Sequence, residues 1–374
     1  MRYYNIKITN DDGTIVRPSW ARDLNLPGTY VSAIGTNVGG NSLALQTLPG
    51  ALRVELDLNL RPFYIPRQGS VIRIHGVSNE ELSQSYDLSL KNIQIDVGMA
   101  PGLPLAKPRK TYTALYGRIF QAFGNLQGLD RYVELVIVPP WGGREKTQIN
   151  FDWQPDTPMA QAIETSLKTA FPSYTIDIRI SDDLKQAAPQ QASFMDDLGQ
   201  FNKLVYNLSN QSQFQNLATI DGSPYAGVSI VVRGRTLLVY DGTKDYGVAS
   251  SANPTEIDFD DLIGQPTWIS PNVINFKCVM RADIQVGDFV KLPKTLQTPY
   301  VLSTQGSAFP YPNIPSRNNS TFQGVWRILE LHYFGDSRQA SADSWVTTYD
   351  AVPIGTPAPA GTVSVGQPQL APGS

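Results

Sequence analysis

The sequence predicts a mainly β protein that carries a small α+β insertion. Hydrophobic residues make up 41% of the 374 residues and charged residues only 17%, while proline occurs 28 times and glycine 30 times. This composition is typical of many short strands joined by turns rather than of long, salt-bridged helices. Apolar residues mostly alternate with a period of two, and they recur at helical spacing only within the segment 154–243.

The clearest predicted strand is Leu52–Leu60, in which leucine or valine alternates with a polar residue at every step. Similar but shorter patterns lie on both sides of the insertion. They predict strands at Tyr3–Thr9, Val71–Val77, Leu88–Val97, Tyr116–Phe123, Val133–Val138, Val325–Phe334 and Trp345–Val352. The sequence therefore predicts two β regions that are separated by the insertion.

Two helices and a hairpin are predicted within the insertion. Asp156-Thr157-Pro158 is typical of a helix start, because a capping side chain precedes a proline whose missing N–H costs nothing there. Ser193 is predicted to cap the second helix, which carries apolar residues on one face. Arg233-Gly234 separates two apolar runs and predicts a hairpin turn.

The stretch Ile257–Leu292 is predicted to form a β-hairpin. Val273–Met280 alternates, and its face of isoleucine, phenylalanine, cysteine and methionine is wholly apolar. Val286-Gly287-Asp288 predicts a turn, after which Phe289–Leu292 resumes a strand. Such a unit belongs to a barrel or a sandwich.

The composition argues against several classes of function. The net charge is −3, so the chain lacks the excess of basic residues that is typical of proteins that bind duplex nucleic acid. The single cysteine, Cys278, excludes an internal disulfide framework and is expected to be a small buried apolar residue. His75 and His332 lie far apart in predicted strands, and no nucleotide-binding, nucleophile-elbow or zinc-protease motif is present. We expect no cofactor, no metal and no catalytic residue.

Paired carboxylates and scattered tryptophans leave other functions open. Acidic pairs lie at predicted turns, caps and strand ends, but two carboxylates are what glycoside hydrolysis requires. A cell-wall hydrolase that uses acids such as Glu80 or Asp96 is therefore an alternative. Four tryptophans near proline or glycine are predicted either to fill the hydrophobic core or to contact other subunits. A carbohydrate-binding protein with exposed tryptophans is a further alternative. They are Trp20, Trp141, Trp268 and Trp326.

Segments without a core-forming pattern lie at Gly35–Gly40, at Pro293–Ser320 and in residues 353–374. They are predicted to be a flexible loop, a long surface loop and a flexible, proline- and glycine-rich tail. The polar, strand-like N-terminus does not resemble a signal peptide. No apolar run approaches the roughly 18 residues needed to span a bilayer, so we expect a soluble protein made in a cytoplasm.

Short motifs flank the long predicted loop. Before it come Leu-Ile-Gly-x-Pro, an apolar strand and Val-Gly-Asp followed by Val-x-Leu. After it come a strand ending near a histidine, Gly-Asp-x-Arg, and Trp-x-Thr at the start of the last strand. In their order these motifs resemble the tail-hub family, the central baseplate hubs of contractile-tailed phages and their relatives in phage-like injection machines, although the long loop departs from the family. The assembly candidates are Leu262, Ile263, Gly264, Pro266, Val286, Gly287, Asp288, Gly324, Trp326, His332, Asp336, Arg338 and Trp345.

The resemblance implies a fold with two tube-protein-like β-barrel domains plus peripheral domains. Residues 1–153 would form an N-terminal β domain with the first barrel, and 154–243 the α+β insertion. Residues 244–352 would form the second barrel, with the long loop at 293–320, and 353–374 the tail. Three copies of the two barrels would make a ring.

The resemblance also implies a function and a set of partners. The protein would be a structural baseplate hub, a homotrimer that adapts the sixfold tail tube to the threefold central spike and forms part of the DNA-ejection channel. Its partners would be the tail tube protein, the spike protein and other baseplate proteins, with the tape measure protein as a candidate. DNA would be present only in transit, without stable membrane insertion. The protein would be assembled in the host cytoplasm and reside in the virion tail. A tail-associated cell-wall hydrolase and a carbohydrate-binding tail protein remain the alternatives.

Overall fold

The structure is a computed structural model that describes residues 2–37, 43–61, 70–100, 111–138, 148–187, 193–220, 225–244, 253–270, 273–293, 322 and 324–353, without the side chains of 35–37, 43–46 and 270. The strands before the insertion are β1 (Arg2–Thr9), β2 (Tyr30–Val31), β3 (Ala33–Asn37), β4 (Leu43–Thr47), β5 (Arg53–Leu60), β6 (Ser70–His75), β7 (Asn92–Met99), β8 (Tyr112–Gln127) and β9 (Asp130–Val138). Those of the insertion are β10 (Ile149–Phe151), β11 (Thr175–Arg179), β12 (Ser193–Met195), β13 (Ser229–Arg233) and β14 (Thr236–Tyr240). After it come β15 (Thr255–Glu256), β16 (Thr267–Ser270), β17 (Val273–Val279), β18 (Phe289–Lys291), β19 (Val325–Asp336) and β20 (Trp345–Pro353). The helices are α1 (Asn79–Ser83), α2 (Met159–Ala170) and α3 (Leu198–Ser209).

Strands greatly outnumber helices, which confirms the predicted mainly β class. Among the described residues, none of the helices combines the length and the apolar character that crossing a membrane requires. The expectations for Trp141, for residues 294–320 and for the tail after Pro353 lie outside the described residues.

Most strands belong to one large sheet. Its antiparallel path runs β16-β17-β20-β19-β5-β6-β9-β8-β7-β1-β2, with β18 attached to β19 and β15 attached to β18. Strands from before and after the insertion meet where β5 pairs with β19, in a register that runs from Leu60 opposite Leu331 to Glu55 opposite Asp336. The two β regions of the sequence are therefore hydrogen-bonded into a single sheet.

Closed barrels are not formed by the described strands. The path ends at β16 on one side and at β2 on the other, and no described pairing joins these ends. The reason lies at the β5–β19 contact, because the C-terminal strands pair with the N-terminal ones instead of closing upon themselves. The domain boundaries stay a prediction.

The predicted pairing of Val273–Met280 with Phe289–Leu292 in a hairpin is wrong. β17 lies between β16 and β20, whereas β18 lies between β15 and β19. The turn itself forms, since Asp288 N donates to Gln285 O at 3.1 Å and Gly287 adopts a φ of +89°. Alternation identified both strands, but it carries no information about which strands they pair with.

One face of the large sheet is buried and the other is polar. In β5, Val54, Leu56, Leu58 and Leu60 are at most 4% exposed, whereas the intervening Asp57 is exposed. A single hydrophobic cluster contains buried residues from both β regions. The period-two pattern of the sequence thus becomes a sheet with one apolar and one solvated face.

The insertion has a hydrophobic core of its own. In it α2 and α3 contact the β11-β14-β13 sheet and the β10–β12 pair. The hairpin at Gly234 is confirmed. The cap predicted at Ser193 is wrong, because Ser193 lies in β12 and Asp197 caps α3 by accepting a hydrogen bond from Gln200 N at 2.8 Å.

We predict that Leu58→Ala lowers the free energy of unfolding by about 2–5 kcal/mol, because it leaves a cavity in the shared core. Leu58 is fully buried, whereas Leu129, at the tip of the β8–β9 hairpin, is 100% exposed. The matched control Leu129→Ala should change stability by less than about 0.5 kcal/mol. Urea unfolding followed by tryptophan fluorescence measures both, and equal effects would contradict this description of the core.

Candidate functional site at the joints of the sheet

The β5–β19 contact is reinforced by polar side chains that cross between the strands. His332 Nε2 lies 2.7 Å from Asp57 Oδ1. Arg61 Nε lies 2.9 Å from Glu330 Oε2. Burial raises the pKa of Glu330, and Arg61 opposes that change. The motif residue His332 therefore bridges the two β regions on the polar face of the sheet.

The Gly-Asp-x-Arg motif lies directly after this contact, at the end of β19. The Asp336 carboxylate accepts hydrogen bonds from Arg338 N at 2.9 Å and from Arg53 Nε at 3.1 Å. Burial opposes ionisation of Asp336, but these bonds outweigh it and hold the pKa of the carboxyl below its ordinary value. Arg2 donates to the backbone oxygens of Asp336, at 2.7 Å, and of Ser341, at 2.8 Å. The motif thus fastens β1 and β5 to the end of β19.

Gly335 and Trp345 form the next part of this joint. A Cβ atom on Gly335 would lie 2.7 Å from the Trp345 ring and 2.8 Å from Ser344 O, so only glycine permits this close approach. Trp345 is 2% exposed, and its indole N–H donates to Gly98 O at 3.0 Å. The start of β20 is thereby tied to the end of β7. We call this cluster, Gly335, Asp336, Arg338 and Trp345, the β19 joint.

The Val-Gly-Asp turn forms a second joint, between the insertion and the large sheet. Asp288 Oδ1 lies 2.6 Å from a guanidinium nitrogen of Arg233, in the β13–β14 hairpin, and both side chains are at least nine-tenths buried. Asp288 Oδ2 accepts from Gln285 N at 2.8 Å, and Gln285 Nε2 donates to Thr113 O of β8 at 3.2 Å. The turn therefore connects the insertion to the large sheet. It binds Arg233 of the insertion and, through Gln285, it also binds β8.

The Leu-Ile-Gly-x-Pro motif lies along β17. Ile263 N donates to Lys277 O at 2.8 Å, and Leu262 forms an isolated bridge with Cys278, which is buried as predicted. Gly264 follows with a φ of +77°, a conformation that favours glycine, and Pro266 is buried. This segment directs the chain into β16.

A buried arginine that the sequence analysis missed lies beside this motif. Arg281 is 1% exposed and is held between Asp261, at 3.1 Å, and Asp283, at 2.5 Å. Burial opposes its charge, but the bonds and charge of Asp283 outweigh it and raise the pKa of Arg281. The local sequence, Arg281-Ala282-Asp283 after an apolar strand, gives no signal of this burial, because the same residues are common at exposed strand ends.

The predicted tryptophans divide into a buried and an exposed group. Trp326 is 2% exposed and donates its indole N–H to Phe322 O at 3.1 Å, just before Gly324 with its φ of +104°. Its ring lies 5.7 Å from that of Trp268, which is 42% exposed. Trp20 is 41% exposed. Trp326 is thus a core residue, whereas Trp268 lies at the edge strand β16.

The candidate acids are held in local hydrogen-bond networks or lie on the surface. Asp96 accepts from Thr113 Oγ1 at 2.7 Å, from Gln94 at 3.0 Å and from Asn5 at 3.2 Å. Glu80 is exposed in the first turn of α1. Within the described ranges, no three or more histidine, cysteine or acidic side chains are grouped so that they could hold a metal ion.

An open cavity of about 400 Å³ lies on the polar face of the sheet, across β19, β5, β6 and β9. Arginines and carboxylates pair with one another around it. Arg73 Nε lies 2.6 Å from Glu134 Oε2, and Arg53 lies 2.5 Å from Glu55 and 2.9 Å from Asp336. These pairings leave little net positive charge on this part of the face.

No protein-family model matches the sequence, and no curated protein sequence matches it. Solved structures similar to the chain are phage tail and secretion-system proteins. The 43 kDa tail protein of prophage MuSo2 from Shewanella oneidensis is 7% identical, with a TM-score of 0.45 and coverage of 94% of this chain and 98% of that one. The Escherichia coli c3393 protein, described as a type VI secretion component similar to the T4 tail proteins gp27 and gp5, is 11% identical, with a TM-score of 0.41 and coverage of 81% and 73%. A chain of the half-lidded Francisella PdpA–VgrG complex is 10% identical, with a TM-score of 0.42 and coverage of 94% and 57%.

We predict that Gly335→Ala destabilises the protein by about 1–3 kcal/mol, because the new methyl group overlaps the Trp345 ring and a backbone oxygen. Gly50→Ala is the matched control, since no atom lies within 4 Å of its added Cβ. The control should leave stability unchanged or raise it by up to about 1 kcal/mol. Thermal and urea unfolding measure both effects. An unaffected Gly335→Ala variant would contradict the close packing of Gly335 against Trp345 and Ser344 O.

Proposed function

We propose that the chain is a structural hub of a phage tail baseplate. In this proposal three copies form a ring that adapts the sixfold tail tube to the threefold central spike and lines part of the DNA-ejection channel. The motifs that resemble the tail-hub family support it. So does the position of His332 and of the Gly-Asp-x-Arg and Trp-x-Thr motifs, at the contacts that unite the two β regions.

The observation that carries the proposal is the continuous antiparallel sheet with one buried and one polar face. The wall of a channel has to be unbroken, because unpaired backbone groups would leave gaps and exposed edges. The β5–β19 contact supplies this continuity between the two β regions of one chain. The polar face of the same sheet is then the natural lining of a water-filled channel.

The charge pattern of the polar face supports passage of DNA without retention. Arg53, Arg61 and Arg73 each form an ion pair with at least one carboxylate of the same sheet. Binding to phosphates depends on cations that are available to neutralise them. Arginines that are already paired with carboxylates bind DNA phosphates only weakly. Weak binding suits a channel that DNA crosses only in transit.

The partners in this proposal are the tail tube protein on one side of the ring and the central spike protein on the other. Further baseplate proteins, with the tape measure protein as a candidate, would contact the periphery, where the insertion lies. The protein would reside in the virion tail after assembly in the host cytoplasm. The proposed role is structural and not enzymatic, and the hydrogen-bonded state of Asp96 is in keeping with this role.

Imaging of tails from cells that carry the gene tests the proposal. An epitope tag on the chain, detected with gold-labelled antibody, should mark only the spike-bearing end of each tail. Deletion of the gene should yield tubes without a baseplate, and complementation should restore it. Label along the whole tube, or normal tails in the deletion strain, would contradict the proposal.

The alternatives are tested with the purified chain. A zymogram on peptidoglycan, with a known muramidase as positive control, should show no clearing. Clearing that is lost in Glu80→Gln or Asp96→Asn, with the fold intact, would replace the hub by a cell-wall hydrolase. Glycan binding by the isolated monomer would favour the carbohydrate-binding alternative.

A further inference from the structure

Three aromatic side chains form a partly exposed cluster at one end of the large sheet. Trp268 is 42% exposed, and its ring lies 5.9 Å from that of Phe322 and 5.7 Å from that of Trp326. Trp326 donates its indole N–H to Phe322 O, whereas the indole N–H of Trp268 has no acceptor among the described residues. This aromatic cluster, Trp268, Phe322 and Trp326, therefore offers a ligand an exposed ring and a free hydrogen-bond donor.

The last described strand ends beside the aromatic cluster. The final residue of β20, Pro353, is opposite Trp326 of β19. Trp268 is opposite Ile274, which in turn is opposite Ala351 of β20. Trp268 therefore lies two strands across and two residues along from Pro353, which is roughly 12 Å at ordinary strand spacings. The residues that follow Pro353 lie outside the described part of the chain, but their point of attachment is close to the cluster.

The sequence after Pro353 has the composition of a ligand for such a cluster. Residues 354–374 contain four prolines and no charged residue, and the first two prolines, Pro357 and Pro359, are separated by one alanine. Proline-rich segments favour the polyproline II conformation, which has no internal hydrogen bonds, so its carbonyls are free to accept. Aromatic-lined grooves bind such segments. Because this conformation advances about 3.1 Å per residue, the four steps from Pro353 to Pro357 cover roughly 12 Å and reach Trp268.

We propose that the segment 354–360 binds the aromatic cluster of its own chain. Pro357 and Pro359 pack against the exposed ring of Trp268, and a backbone carbonyl of the segment accepts its indole N–H. The same chain is favoured over another molecule because the short connection to Pro353 keeps the segment at a high effective concentration. The bound segment covers apolar surface at β16, the last strand of the described sheet path. The inference does not depend on the proposed baseplate role.

Acrylamide quenching of tryptophan fluorescence tests the contact in the full chain. The double variant P357G with P359G should be quenched more strongly than the wild type, because glycine removes both proline rings and frees the backbone. In a Trp268→Phe background the same double variant should show no increase, since the uncovered indole is then missing. In a Trp20→Phe background the increase should persist, and Trp20 is the matched control because it is 41% exposed.

A second control and a peptide identify the occupant of the cluster. The double variant P368G with P372G, which replaces the distal prolines, should be quenched like the wild type. A synthetic peptide of residues 354–360 should protect Trp268 in the P357G and P359G double variant. It should bind the wild type about tenfold more weakly or worse, because the chain's own segment competes. A peptide with both prolines replaced by glycine should bind the double variant about tenfold more weakly, because more conformational entropy is lost.

The outcomes decide between the chain's own segment and other occupants. Unchanged quenching in the P357G and P359G double variant would overturn the inference. Equal binding of the peptide to the wild type and the double variant would also overturn it, because the cluster would then be open to another molecule. Protection of Trp268 by N-acetylglucosamine oligomers but not by the peptide would assign the cluster to carbohydrate instead. Circular dichroism checks that all variants are folded. Failure of the contact leaves the baseplate proposal intact, because tail imaging tests that proposal separately.

Discussion

The pairing of β5 with β19 is the contact on which the rest of the structure depends. It joins strands that lie on opposite sides of the insertion, and residues as far apart in sequence as Asp57 and His332, which are separated by 275 positions, bond across it. Bringing such distant segments together carries a large entropic cost, which local interactions do not offset. The shared hydrophobic core beneath both strands and the β19 joint at their ends supply the compensating free energy.

The insertion is attached by a different kind of interaction. Its own core is apolar, but its contact with the large sheet includes the buried Arg233–Asp288 pair at the Val-Gly-Asp turn. A buried ion pair adds little net stability, because desolvation of both charges offsets their attraction. Removing one partner is costly, however, and this requirement favours a single orientation. The pair therefore fixes where the insertion lies more than how strongly it is held.

Much of the fold could be predicted from the sequence, because strands with one buried face have a period of two. The strand at Leu52–Leu60 was identified in this way, whereas the helices of the insertion were identified by apolar residues at helical spacing and the turn at Gly287 by its Gly-Asp pair. Strand partners could not be identified, since alternation is the same whichever strand lies alongside. This is why β17 and β18 were wrongly expected to form a hairpin and why the β5–β19 contact was not anticipated.

The candidate site was predictable only in part, for a related reason. The motifs marked Asp288, Asp336 and Trp345, but the residues that bind them, Arg233, Arg2 and the Gly98 carbonyl, come from distant parts of the chain. Arg281 was missed because nothing in its local sequence separates a buried arginine from an exposed one. Its burial depends on Asp261, twenty residues earlier, being folded back against it.

Native-state hydrogen exchange at the β5–β19 contact tests the central claim most directly. If the two β regions form one cooperative sheet, the ladder amides of Val54–Leu60 and Leu331–Asp336 should open only with global unfolding. Their exchange should then share one denaturant dependence. Exchange of β19 and β20 at a free energy well below that of β5 and β6 would contradict this account, because the C-terminal strands would then be a separate unit docked on the N-terminal ones.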